Sequence, residues 1–410
     1  MDAGQAAELA ARNSYGRLVA YLAARSRDIA SAEDALSDAF LSALKHWAET
    51  GVPKNPEAWL LTTARHRLID AARRNQVQDR ILSNFKESAF AAESEASLEE
   101  VVFPDDRLKL LFVCAHPAID ASLHTPLMLQ TVLGLNAAQI ASAFLVAPAT
   151  MGQRLVRAKA KIKDAGIAFE LPSVSELPTR LGAVLEAIYA AYTNGWETVT
   201  GIDPRHRGLT EEAIWLARLC IQLMPKAAEA RGLLALMLYC ESRREARRTA
   251  NGDYIPLLEQ DTMLWSQATI AEAERELLQA STSQQMGRFQ IEAAIQSVHA
   301  QRAVTQRIDW DALALLYEGL IRLSPTLGAL VSHAAAIAEA KGLAQGLTLL
   351  EALPIESVKN YQPYWALKAH LLKRLGRKSE ALKAYNLAIG LTEDAAIREF
   401  LVRQSLPLNT

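Results

Sequence analysis

Residues 135–163 read LNAAQIASAFLVAPATMGQRLVRAKAKIK. The last fourteen of them hold five basic groups and no acid, in a chain whose formal charge is only −2. On a helical wheel, Met151, Leu155, Ala158 and Ile162 form one narrow apolar stripe. Thr150, Gln153, Arg154, Arg157 and Lys161 form the opposite one. The preceding helix, 137–144, turns Ile140, Ala141 and Phe144 inward, and the corner between the two is Leu145-Val146-Ala147-Pro148. Proline suits the first turn of the second helix, where its missing N–H costs nothing. The pattern predicts a helix-turn-helix, in which the first helix braces and the second offers long polar side chains to a major groove. Arginine can grip guanine, and glutamine adenine, through paired hydrogen bonds. Lys159 and Lys163 flank the stripe, where phosphates would lie.

The totals bound the rest. A chain of 410 residues, half of them hydrophobic, has room for two to four domains with sizeable cores. With 44 basic and 46 acidic groups it is not a globally basic protein, so nucleic-acid binding must come from local patches. Three cysteines, widely spaced and odd in number, argue against a disulfide framework and fit a reducing cytosol. Cys114 and His116 lack the spacing and the second ligand pair of a zinc site, so no metal or cofactor is expected. The first residues show no basic-then-apolar leader and no apolar run is long enough to span a membrane, so a cytoplasmic protein is expected.

Ala and Leu dominate and apolar residues recur at three and four, which predicts an all-α fold. Four parts separate by composition: 1–80, charge-balanced; 81–106, with seven acids and one lysine, read as a solvated linker; 107–170; and 171–410. Within the third part, 107–163 holds seven basic groups and one acid. In the fourth, Gly342 and Gly376 lie 34 residues apart, the tetratricopeptide (TPR) period. Trp365 starts the first helix of the last unit, Leu375-Gly376 makes the turn, and Ala381, Tyr385 and Ala388 line the second helix. Such helix pairs bury their apolar faces only by stacking.

The N-terminal part carries two further faces. In AEDALSDAFLSALKHW (32–47), Leu36, Ala39, Phe40, Ala43 and Trp47 face inward, while Asp34, Asp38 and Leu41 fall outward in one line with Lys45. An apolar Leu41 among charges suggests a docking surface, although single exposed leucines are common. After Gly51, Pro53, Asn55 and Pro56, a new helix points Leu61, Ala64, Leu68, Ala71 and Ala72 inward, and Trp59, Thr62, Thr63, His66, Asp70, Arg73 and Arg74 outward. An outward Trp beside hydroxyls and arginines suits stacking on an unpaired base; alternatively Trp59 is core at the helix start.

The order AEDALSDAF, WLLTTARHRLIDAARR, then the helix-turn-helix resembles regions 2 and 4 of bacterial extracytoplasmic-function (ECF) RNA polymerase sigma factors. FPDDRLKLLFVCAHPA, TNGW, GLLALMLYCESRREAR and LLEQDTMLW resemble the subgroup with a C-terminal TPR-like extension. The resemblance implies a non-enzymatic protein with core RNA polymerase and promoter DNA as partners. Asp34, Asp38 and Leu41 would dock on polymerase. Asn55, Trp59, Thr62, His66, Arg73 and Arg74 would meet the −10 element, and Thr150, Gln153, Arg154, Arg157, Lys159 and Lys161 the −35 element. It further implies that the extension is needed for activity, with a DGPF-domain protein or another peptide as candidate partner. The alternatives are a helix-turn-helix regulator with a TPR-like sensor domain, acting without polymerase, and a TPR scaffold whose first helices merely resemble DNA binders.

Overall fold

The computed structural model describes residues 2–79, 105–144, 146–173, 175–197, 209–283 and 285–408. Among them the fold is all-α as expected: helices are joined by turns, and the one β feature is an isolated antiparallel bridge between Arg248 and Tyr254. No helix among the described residues is long and apolar enough to cross a membrane. The chain divides into two compact units, Met1–Leu219 and Cys220–Thr410.

The first unit opens with α1 (Ala3–Ser26), α2 (Ile29–Thr50) and α3 (Pro56–Asp79). Each begins on a side-chain cap that satisfies an otherwise unpaired N–H. Asp2 and Gln5 cap α1 reciprocally, the Asp28 carboxylate accepts from the Ser31 N–H (3.2 Å), and the Asn55 carbonyl accepts from the Ala58 N–H (3.1 Å). Leu18, Leu22, Ile29, Leu36, Ala39, Trp47, Leu60 and Ala64 form the core between the three helices. Phe40, expected inward, is only half-buried, and of the expected α3 stripe Ala72 is exposed. Phe40 lies at the edge of the apolar arc of α2 rather than at its centre.

Then come α4 (Arg107–Cys114), α5 (Ala121–Thr131), α6 (Ala137–Ala143), α7 (Pro148–Asp164) and α8 (Leu177–Glu197). Most of the acidic stretch read as a solvated linker, residues 80–104, lies outside the described residues. Its last two acids depart from that reading. Asp106 is 3% exposed and pairs with Arg25 (3.6 Å) and Lys109 (2.7 Å), while Asp105 holds Arg107 (2.7 Å). Arg107 also pairs with Glu212 of α9 (Leu209–Leu223) and lies 4.3 Å over the Trp215 ring. Two cations of the basic segment are therefore neutralised at the start of α4. Helix α1 runs close to the end of α5: a Cβ on Gly16 would stand 1.8 Å from the Val132 carbonyl oxygen, so only glycine fits. Helix α8 packs on α4 and α5, so it folds with the first unit although composition grouped it with the C-terminal part.

The second unit is a run of packed helices: α10 (Ala228–Glu241), α11 (Gln267–Ser281), α12 (Arg288–Ala300), α13 (Arg302–Thr305), α14 (Trp310–Leu323), α15 (Leu327–Lys341), α16 (Leu343–Glu351), α17 (Ile355–Val358), α18 (Gln362–Arg374), α19 (Lys378–Leu391) and α20 (Ala395–Ser405). Sequential partners stack, α14 on α15, α15 on α16, α18 on α19 and α19 on α20. Gly342 (φ 116°) and Gly376 (φ 78°) make the two sharp turns, a conformation open to glycine and strained for other residues. Ala381, Tyr385 and Ala388 are buried along α19 as their spacing predicts. The segment between α10 and α11 is pinned by Arg302, which donates to the carbonyls of Leu257 (2.8 Å) and Gln260 (2.7 Å) and lies 5.0 Å over the Trp265 ring.

His299 on α12 sits edge-on to Trp310 (6.3 Å), and burial, reinforced by Arg243 and Arg302, lowers its pKa to about 4. Unfolded, it would take up a proton near its ordinary value of about 6.5. The unfolded state therefore binds more protons between those values, and stability falls as pH drops through that window, by up to about 3 kcal/mol. Hydrogen exchange of α12 in the full chain, corrected for intrinsic pH dependence, is expected to show this loss of protection. His299→Leu is expected to flatten the profile; an unchanged slope would refute the assignment.

Candidate nucleic-acid interface

The corner expected around residue 145 forms from two differently capped helices. Asn136 and Gln139 cap α6 reciprocally, each side chain accepting the other's backbone N–H (2.9 and 3.0 Å). The Val146 N–H donates to the Ala141 carbonyl (3.0 Å), and α7 follows with Pro148 in its first turn. Leu145 lies outside the described residues. Ile140 and Ala141 are buried as expected, but Phe144 is 37% exposed, because α6 ends at Ala143 and the ring falls beyond the helix that would have turned it inward. Met151, Leu155, Ala158 and Ile162 form the buried stripe of α7, packed toward α5 and α6. Thr150, Gln153, Arg154, Arg157 and Lys161 are all exposed.

Lys159 departs from the expected set. It is 8% exposed and pairs with Glu33 of α2, because α7 packs against α2 as well as against its own neighbours. Its ammonium is turned away from the surface that carries the other five residues, so a phosphate contact by Lys159 loses its geometric basis. Glu33 is itself mostly buried; desolvation raises its pKa even against the pull of Lys159, and its Oε1 has no hydrogen-bond partner. Tyr15 is half-buried alongside, its hydroxyl pKa pushed up first by desolvation and then by Glu33 and Asp34. One turn further along α7, Lys163 pairs with Asp28 (2.8 Å). Burial would raise the Asp28 pKa, but hydrogen bonds from Lys163 and Ser31 hold it below the ordinary value. The five cations of α7 thus divide: Lys159 and Lys163 tie the helix to α2, and Arg154, Arg157 and Lys161 stay outward.

On α2, Asp34 and Asp38 are exposed and Leu41 is 59% exposed, in one line as expected. Asp38 and Leu41 line a cleft with Ser42, Lys45 and Arg67 of α3. Arg67 was missing from the outward set read from sequence, although it follows Thr63 by one turn. On α3, His66 and Arg73 are exposed, and the Thr62 hydroxyl donates to the Ala58 carbonyl (2.9 Å). Asn55 serves the helix as its cap, so one end of its amide is already occupied. Trp59 is half-buried, stacked on His46 (5.9 Å between rings) with Trp47 edge-on (5.5 Å). It is therefore a bracket between α2 and α3 with one part left accessible. The side chains of Arg74, Asn194 and Trp196 lie outside the described residues.

Among the described residues no three or more His, Cys, Asp or Glu side chains converge as a metal site. Cys114 is fully buried against the Thr131 hydroxyl (3.6 Å), which leaves it a small core residue with its pKa pushed up to about 12 by burial. The His116 ring accepts the Ala118 N–H (3.1 Å).

Residues 11–77 match the family Sigma-70 region 2. Residues 180–281 match a family of unknown function, DUF6596, which spans the end of the first unit and the start of the second. An uncharacterized protein of Rhizobium meliloti (strain 1021) is 38% identical over 385 residues, covering 92% of this chain and 90% of its own. No solved structure matches the chain.

The buried pair gives a sharp contrast between two lysines on one helix. Lys159→Ala strands the Glu33 carboxylate and is expected to destabilise the first unit by about 3 kcal/mol. Lys161→Ala, two residues on, is expected to change stability by less than about 0.5 kcal/mol. Denaturant unfolding of both variants tests this, and Glu33→Gln combined with Lys159→Met should restore most of the loss.

Proposed function

Because the chain belongs to the family of that Rhizobium meliloti protein and carries a sigma-70 region 2 match, we propose that it is an ECF-type sigma factor with a TPR-like C-terminal extension. It would bind core RNA polymerase in the cytoplasm and direct it to promoters. The observation that carries the reading is the split of α7: an apolar stripe sunk into the unit, and an outward face of Thr150, Gln153, Arg154, Arg157 and Lys161. That face would read the −35 element by base edge and phosphate. Helix α3, with Thr62, His66, Arg73 and the accessible part of Trp59, would meet the −10 element. Asp34, Asp38 and Leu41, with the cleft they share with Arg67, would dock on polymerase. The stacked helix pairs of the second unit support a protein-binding role for the extension, and a DGPF-domain protein is the partner its resemblance names.

This reading requires movement. Elements centred at −10 and −35 are about 25 base pairs apart, roughly 85 Å along the duplex. Helix α7 is tied directly to α2, so the two modules would have to part before both elements are read. Polymerase would separate them. The runner-up, a helix-turn-helix regulator acting alone, draws on the partial burial of Trp59, which limits the ring for stacking on a flipped base.

Run-off transcription with core RNA polymerase over a pooled promoter library is expected to require the chain, and to fall at least tenfold with Arg157→Ala. Tight duplex binding by the protein alone, with no polymerase-dependent transcript, would favour the regulator. Fluorophores on Ser37→Cys of α2 and Ala160→Cys of α7, both exposed positions, should transfer energy efficiently in the free chain and lose most of it on polymerase binding. Unchanged transfer in an active complex would refute the opening.

A further inference from the structure

Val156 occupies the outward side of α7, between Gln153 and Arg157, and is 67% exposed. A β-branched residue is a weaker helix former than the straight-chain residues that fill helix surfaces. Here it gains almost no burial in return. One turn before it stands Gly152, weaker still in a helix interior. A Cβ at Gly152 would meet nothing nearer than the Ala137 methyl at 3.9 Å, so the fold has no need of glycine there. One turn after Val156, Ala160 is exposed and adds no bulk. Two helix-weakening choices thus stand one turn apart on α7, and neither is accounted for by packing within the protein. Solitary exposed aliphatics are common on surfaces; this one has exposed Gln153 one turn before it and exposed Arg157 next in the chain, which favours nucleic acid as what covers it.

We infer that Val156 is a specificity-determining residue that packs against the C5-methyl group of a thymine in the major groove. The inference rests on the promoter-reading function proposed above and adds one base feature to it. Thymine is the base that presents an apolar group in that groove, and aliphatic side chains are its natural partners. Gln153 and Arg157 would hydrogen-bond neighbouring base edges, which fixes the register in which Val156 meets the methyl. Gly152 would leave room for the approaching strand.

The test uses the full chain bound to core RNA polymerase and two random duplex libraries, one made with thymine and one with deoxyuracil, which lacks only the methyl. The wild type is expected to favour thymine at one position of the recovered sequences and to lose about fourfold of that preference in the uracil library. Val156→Ala should show the same preference in both libraries, and Val156→Thr, which keeps a methyl group, should retain part of the difference. Both variants sit at an exposed position and leave the core untouched. The inference is overturned if the wild type treats the two libraries alike, if Val156→Ala keeps the methyl preference, or if Val156→Ala weakens polymerase binding instead. A wild-type complex that enriches no sequence from either library sinks promoter reading itself, and this inference with it; methyl-blind enrichment sinks the inference alone.

Discussion

The first unit depends on one ion pair, Lys159 of α7 against Glu33 of α2. It joins the module matched as sigma-70 region 2 to α7, through two residues 126 apart in the chain. Tyr15 and Cys114 nearby both have their pKa pushed up by burial, and Asp34 and Asp28 add negative charge beside Glu33. Removing two charges from water costs several kcal/mol each, and attraction in such a setting roughly offsets it. The raised pKa of Glu33 fits that balance, since desolvation there outweighs the lysine. The pair therefore contributes orientation more than net stability. The same balance makes it reversible. When the surfaces part, both ions regain water and little is lost, whereas deleting one partner leaves the other buried and uncompensated.

The charge pattern of α7 follows from this. A helix with five cations and no acid across residues 150–163 would adhere to any phosphate backbone. Two of the five are instead engaged within the fold, by Glu33 and Asp28, and the two basic groups of α4 are engaged by Asp105 and Asp106. The near-neutral chain total is thus repeated locally, as two ion pairs between α7 and α2 and two between near neighbours in the chain. Three cations remain outward on α7, which is fewer than tight sequence-independent binding to a phosphate backbone takes.

Much of this was legible in the sequence, for physical reasons that also mark where legibility stops. The all-helical fold, the proline start of α7 and the Gly342 and Gly376 turns are local, and local chemistry determines them. The apolar stripe of α7 was read correctly because one wall of neighbours buries it. Lys159 was misplaced because a wheel shows which face is apolar, not whether a second surface covers its flank. Phe144 was misplaced because the inward reading assumed one more helical residue than α6 has. Trp59 is half bracket and half surface, an outcome intermediate between the two roles its spacing allowed. Composition drew a boundary at 170, but α8 folds back on α4 and α5, a tertiary choice that no compositional shift records.

The second unit is governed by a different constraint. Its helix pairs have little contact to gain except with the next pair, so each turn must be tight and each seam close. Gly346 shows how close: a Cβ there would stand 2.3 Å from that of Ala338. Against this regular stack, the segment between α10 and α11 is irregular, and its backbone carbonyls at Leu257 and Gln260 both accept from a side chain, Arg302. An arginine committed to two carbonyls and an indole ring is unavailable for ligand binding, so its task is to hold this loop in one conformation. Fixing an irregular segment costs conformational entropy that a flexible connector would avoid. The segment lies within the region matched as DUF6596, which places the least regular and most deliberately braced backbone of the second unit inside that region rather than in the repeat-like helices that follow.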